Sequence, residues 1–592
     1  MKRRVALSLA AIGSGALILT ACGSGSGAGG GTGGSTNASF NAGSTSVVNP
    51  SDHKGGTIVF DDSSVPDSLD GGNVYYAWTL NFNRLYETPL TTYPSCPGKC
   101  GLGLVPGLAT NTGTVSKDGL TWTFHLKTGV TYSNGQPVVA QDVKYAVERT
   151  FDRTVLPNGP SYFQILLGGN AATYPGPYKD RAKNLTGLTA VTTPDAHTIQ
   201  FHLAKPFPDF PSVVAFPQTA PVPANADSGA NGGANYQQHV LSTGPYVLQS
   251  YTVNKQAVLV DNPHWNQSWD PQAKQLASKI VLNLNVNADD IDNRLLHGDV
   301  QVDAAGTGVQ AAARAQILSS PSLMKDADDP LAGFAWFVYL NTKVAPLDNV
   351  ACRRAVEYAA NKVDLQTAYG GPVAGGDIAS TVMPPNINGY QKFDLYEALS
   401  KPTGDLTRAK AELQACGQPN GFTTGIAYRS DRPKEVSAAQ ALQAALARVG
   451  IKLQLHGYPS GTYYTDFAGV PNYVHQHDLG LDIGGWEADW PNGYGFMDAI
   501  SNGNAIPVSG NSNVAELNDA VVNGLFTQAN QLGLSAAART AIWPRIDMQV
   551  MKDAAILPEV YAKSLLYRSP SLTNVYVQAY YGMYNYAVLG MK

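Results

Sequence analysis

The residues best suited to chemistry in this chain form one short run, Gly484-Gly485-Trp486-Glu487-Ala488-Asp489-Trp490-Pro491-Asn492. Two adjacent glycines let another segment approach the backbone closely, and two tryptophans flank two acids. A carboxylate enclosed in a cleft and screened from water prefers a cation that completes its hydrogen bonds. The run is therefore a candidate for holding a positively charged group. The competing reading is a solvated loop acid beside two core tryptophans.

Motifs for covalent or metal chemistry are fragmentary. Ser51-Asp52-His53-Lys54 matches S-x-x-K and Lys127-Thr128-Gly129 matches K-T-G, two pieces of the penicillin-recognising enzymes. The first must begin a buried helix, yet here it runs into Gly55-Gly56, and the second falls inside a strand-turn stretch. His475-x-His477 with Asp478 would place two imidazoles on one strand face as metal ligands, but a solvated polar loop is the preferred reading. Gly25 to Gly30 spells G-x-G-x-x-G without a strand before it or a helix after it. No G-x-S-x-G elbow, H-E-x-x-H or phosphate-binding loop occurs. No catalytic residue, metal or cofactor is assigned.

The elements that must position the acidic run mix both periodicities. Gly56 to Phe60 reads as an opening strand, and Leu120 to Leu126 alternates apolar and polar residues as a half-buried strand does. Ala140 to Arg149, Cys352 to Leu365, Leu406 to Cys416 and Glu435 to Val449 have helical spacing. The last runs into an alternating strand, Ile451 to Leu455. The class is α/β with large mixed sheets.

Composition agrees. A chain of 592 residues with 44% apolar and 14% charged residues fills more than one core, and 60 Gly with 37 Pro imply long ordered loops. Thirty Tyr against 17 Phe favours surfaces that hold polar and apolar groups together. The net charge is −5, and losing Lys2, Arg3 and Arg4 with a leader would take it to −8. Without a basic stripe, nucleic acid is set aside as a partner. Residues 1–21 read as an export signal, with Lys2-Arg3-Arg4 ahead of an apolar stretch from Val5 to Leu19 that is too short to span a bilayer. It ends in Leu19-Thr20-Ala21-Cys22, which resembles the lipobox of bacterial lipoproteins and implies a lipid on Cys22. Residues 22–53, rich in Gly, Ser and Thr near the start, read as a flexible tether. The other four cysteines suit an oxidising compartment. Cys96 with Cys100, and Cys352 with Cys416, are expected as two disulfides rather than as a metal site.

Several pieces in fixed order carry a family likeness. They include Pro106-Gly107-Leu108-Ala109, Ser116 to Leu126, Asn134-Gly135, Ala140-Gln141-Asp142-Val143 and Thr243-Gly244-Pro245-Tyr246. Asn262-Pro263-His264-Trp265, Asn341-Thr342, Asp348-Asn349-Val350, Arg353-Arg354-Ala355, Ala409 to Leu413 and Gly485 to Pro491 complete the series. In this order they resemble the extracytoplasmic dipeptide- and oligopeptide-binding proteins that serve ABC importers.

That resemblance implies a bilobal α/β fold of the periplasmic binding-protein type, with mixed sheets, a hinge, and a subdomain inserted in lobe I. Lobe I is expected at 54–90, 200–330 and 550–592, the insertion at 91–199, and lobe II at 331–549. Asp489 would pair with a peptide's α-ammonium, with Trp486 and Trp490 beside it; Glu487, two residues away, could share that role, though alternation along the chain is expected to point it elsewhere. Tyr75, Tyr76 and Trp78 would line the cleft, and the turn carrying Gly244 and Tyr246 would offer backbone to an extended peptide. The implied protein is a non-catalytic, monomeric receptor, held outside the cell by its lipid, that hands peptides to a permease and its ATPase subunits. Within the same family the alternative guest is an oligosaccharide or metal chelate. A penicillin-recognising surface hydrolase is the remote rival.

Overall fold

The computed structural model describes residues 39–180, 187–504 and 506–592. The expected export signal and Cys22 lie outside them. Among the described residues no helix is long and apolar enough to cross a membrane.

Two mixed sheets organise the molecule. The first has five strands in the order Val302–Asp303, Thr57–Asp61, Lys279–Asn283, Gln256–Asp261 and Tyr246–Thr252. Thr57–Asp61 runs parallel to both its neighbours, and the rest of the sheet is antiparallel. The second has six strands: Gly376–Ile378, Ile556–Lys563, Leu331–Leu340, Leu479–Glu487, Thr423–Arg429 and Lys452–Tyr458. Thr423–Arg429 and Lys452–Tyr458 are parallel, so the chain must cross over between them, and the helix Pro433–Ala447 makes that crossing. Leu331–Leu340 is a central strand with both faces covered. Ala335, Phe337 and Tyr339 enter one apolar cluster while Val338 and Leu340 enter another. This is the expected α/β, mixed-sheet architecture, with each sheet centring one lobe.

A third sheet of four strands, Thr114–Val115, Thr121–His125, Thr198–His202 and Val191–Asp195, forms the heart of the inserted region. The alternation around Trp122 buries Trp122 and Phe124. Its strand Thr198–His202 crosses the boundary placed at 199.

Three further differences have simple causes. The stretch expected as one helix from 352 to 365 is two, Val350–Ala359 and Lys362–Tyr369, because Asn361 caps the second with its side chain. Ile556–Lys563, expected in lobe I, pairs with Leu331–Leu340, so the chain leaves the second sheet only after Lys563. Residues 39–53 are not a free tether. Val48 bridges to Val575, Asn41 donates to the carbonyl of Ala327, and Gly43 donates to Asp328 Oδ1 at 2.8 Å.

Cys96 and Cys100 form one disulfide and Cys352 and Cys416 the other. The second ties the helix Val350–Ala359 to the end of Leu406–Ala415 across 64 residues of sequence. Replacing Cys352 and Cys416 together by Ala is expected to lower stability by about 2–4 kcal/mol, read from urea midpoints, because the unfolded chain regains loop freedom. The pair at 96 and 100, separated by four residues, should matter less.

Candidate functional site

The acidic run sits where the strand Leu479–Glu487 ends, facing the first lobe. The two glycines make room for aromatic rings of the neighbouring strand. A Cβ on Gly485 would meet Phe334 at 2.2 Å, and one on Gly484 would meet Tyr339 at 2.6 Å. Phe334 can therefore lie against the strand and form one wall of a cavity of about 270 Å³. Trp486, Glu487 and Asp489 come from the second lobe, Tyr75 and Phe216 from the first, and Tyr580 from the C-terminal segment.

Asp489, carried by the second lobe, is held by residues of the first lobe and of the C-terminal segment. The hydroxyl of Tyr75 donates to Oδ1, and that of Tyr162 donates to Oδ2 at 2.5 Å. Tyr580 donates to the Asp489 carbonyl at 2.9 Å. Tyr75 is itself placed by Asp67, whose Oδ2 accepts from the backbone N–H groups of Tyr75 and Tyr76. Tyr162 opens the short helix Tyr162–Leu166 and stacks on Phe216 with ring centres 6.0 Å apart. Burial raises the Asp489 carboxyl above its ordinary range, and the two tyrosine hydroxyls partly oppose that.

Glu487 also lines the cavity, contrary to expectation. The strand ends at Glu487 and the chain bends at Asp489, so that Gly485 to Asp489 all border the cavity. Burial, reinforced by the charge of Asp489, pushes its carboxyl up to about 8. Among the described residues no Lys, Arg or His lines this cavity. Two enclosed acids without a base make a site for positive charge.

The other expected wall residues lie elsewhere. Trp78 is 6% exposed and packed in the first lobe's core. Tyr76 is 57% exposed and does not reach the cavity. Trp490 is buried, and its indole N–H donates to Asp209 Oδ2 at 2.9 Å, as does the side-chain amide of Asn492. These bonds tie the run to the first lobe from behind the cavity. The turn at Gly244 is fully used inside the protein. The Gly244 N–H donates to the carbonyl of Tyr86, and a Cβ on Gly244 would strike the Tyr86 backbone at 2.8 Å. Tyr246 is buried and its hydroxyl accepts from the N–H groups of Leu276 and Ala277.

The residues missed from the sequence are Tyr162, Phe216, Phe334 and Tyr580. They come from four distant segments and share no local pattern that marks them together. The fragments of reactive motifs resolve into structure. Ser51 lies outside any helix or strand, not at the head of a helix, and Lys127 Nζ donates to the carbonyls of Gly107 and Trp269 at 2.6 Å each. His475 lies on the helix Pro471–Gln476 against Glu516 at 2.7 Å, while His477 stacks on Tyr473.

Comparison with known proteins agrees with this architecture. The family model described as bacterial extracellular solute-binding proteins, family 5 middle, matches residues 103–507. The oligopeptide-binding protein OppA of Bacillus subtilis (strain 168) is 26% identical over 410 residues, which cover 66% of this chain and 68% of that protein. Heme-binding protein A of Haemophilus influenzae is 25% identical across 98% of both chains. The solved structure of the clavulanic acid biosynthesis oligopeptide binding protein 2 superposes with a TM-score of 0.88 at 39% identity, covering 94% of this chain and 99% of its own. With its two sheet-centred lobes facing one cavity, the chain belongs to the bacterial extracellular solute-binding proteins of family 5.

Proposed function

We propose that this protein captures short peptides outside the cell and delivers them to an ABC importer, with Asp489 receiving the peptide's α-ammonium. The observation that carries the reading is an acid pair in a cavity without a base, enclosed by aromatic side chains from both lobes. The names of two similar proteins, both oligopeptide-binding, support the same ligand class. A peptide's amino end supplies the missing charge, and the flat apolar walls accept an adjoining side chain without demanding one shape.

In this reading the guest bridges the lobes and stabilises the closed state, which the permease recognises. Lipid on Cys22 keeps the receptor at the outer membrane face as a monomer, while ATP is hydrolysed by the importer's own subunits. The chain's role is binding, with no catalytic step. Because ordering two lobes consumes much of the contact energy, a Kd near 1 μM is expected, about −8 kcal/mol. Titration calorimetry with di- to pentapeptides of mixed sequence tests this, with cello- and chito-oligomers as the comparison. Saturable heat from peptides supports the reading. Heat from the sugars alone would overturn the guest while leaving the transport role intact.

A further inference from the structure

Resting on the peptide reading, one acid remains without a task. Asp489 suffices for an α-ammonium, yet Glu487 shares the cavity and has no hydrogen bond to its carboxylate among the described residues. Beside it lies a gap of about 10 Å³, room for one water-sized group, lined by Gly333, Asn386, Glu487 and Tyr580 among others. Asn386 Oδ1 is buried there without a partner. Gly333 has φ +78°, and a Cβ on it would sit 3.4 Å from the Asn386 amide nitrogen and 4.0 Å from Glu487 Oε1. Amide and carboxylate thus border the same backbone residue, both able to accept hydrogen bonds. The Asn386 oxygen, buried without a partner, is costly unless a donor reaches it.

We propose that Glu487 is a specificity-determining residue that receives the side-chain cation of the guest's first residue, so that peptides opening with Lys or Arg are the preferred cargo. Spacing fits. Two residues of chain span at most about 7 Å, a reach that a lysine laid out from its α-nitrogen to its side-chain nitrogen can bridge. The walls fit as well. Trp486 and Phe334 offer apolar area to the methylene stem and ring faces to the charge.

The site also couples binding to a proton. The titratable groups facing Glu487 are Asp489 on its own segment, Tyr75 from the first lobe and Tyr580 from the C-terminal segment. Both tyrosines are held protonated by burial and by the acids, so no cation offsets Glu487 in the empty site. With its carboxyl at about 8, Glu487 carries a proton at pH 7. An arriving ammonium or guanidinium replaces that proton, and affinity for such guests rises as pH climbs toward 8.

The test is calorimetry at pH 7 with Lys-Ala-Ala and its neutral isostere norleucine-Ala-Ala, on the full chain and on Glu487→Gln. The wild type is expected to favour the lysine peptide by roughly 10- to 100-fold, the range for one charge-assisted contact in an enclosed site. Glu487→Gln should bring the two peptides within about threefold of each other. Repeating the titration in buffers of different ionisation heat should show a proton released with the lysine peptide by wild type alone. Equal affinities in the wild type, or an undiminished preference in the variant, would overturn the proposal and leave the peptide reading standing. Failure of both peptides to bind would overturn both.

Discussion

Asp489→Asn should weaken peptide binding by about 2–4 kcal/mol, roughly 30- to 1,000-fold in Kd, with the fold intact. Asparagine keeps the shape of the side chain and can still accept one tyrosine hydroxyl, so packing between the lobes is little disturbed. What it removes is the charge. A guest ammonium drawn out of water into this cavity would then face a neutral amide and a protonated Glu487, with no counter-ion. The cost of an enclosed, unpaired ion dominates any single van der Waals contact in the site. An acetylated peptide, which has no α-ammonium, should bind wild type and variant alike and weakly. Calorimetry on both proteins with free and acetylated tripeptides checks this. Less than a threefold difference for the free peptide would remove Asp489 from the proposed site.

Much of the fold was legible because its signals are local. The alternation that buries Trp122 and Phe124 and the periodicity of Ala140–Arg149 need only neighbouring residues. Asp489 stood out because acids, glycines and aromatics cluster around it, and Tyr75 was named from the family resemblance, which places its segment along the cleft. The errors share a different cause. Trp78, Trp490 and Tyr246 have the composition of wall residues, but large amphipathic side chains near a cleft are as useful for packing the lobes that form it. Trp490 spends its indole N–H on Asp209, and Tyr246 spends its hydroxyl on two backbone N–H groups. Only the tertiary arrangement decides between those roles. Glu487 joins Asp489 in the cavity because the strand stops at it and the chain then bends, which alternation along a strand does not foresee. Phe216 and Tyr580, which line the cavity, and Tyr162, which bonds Asp489, were not legible, because each is brought there by chain returning from another part of the fold.

The same dependence on distant chain makes Arg149 the residue whose loss should most damage the fold. It ends the helix Ala140–Arg149, and its side chain is fully buried. Its two terminal nitrogens donate to the Asp70 oxygens at 2.9 and 2.5 Å, and Nε donates to Asp227 Oδ2 at 2.7 Å. The ring of Tyr236 lies under the guanidinium at 4.6 Å. One cation therefore joins three segments of chain and neutralises two buried acids. Glu87, nearby, adds no third charge, because burial and the charge of Asp70 push its carboxyl up to about 8. Arg149→Met fills similar volume but strands both carboxylates, and removing one partner from a buried ion network costs about 3–5 kcal/mol. Arg149→Lys should recover only part of that loss, since a point charge cannot reproduce a fork that reaches two acids at once. Urea titration followed by tryptophan fluorescence should rank wild type above Lys above Met. The damage should also reach the site. Asp70 accepts from Gly72 and caps the turn Gly71–Asn73, two residues before Tyr75, the hydroxyl donor to Asp489. Weaker peptide binding by Arg149→Lys under conditions where it remains folded would show that this clasp also positions Tyr75. Unchanged affinity would confine Arg149 to stability alone.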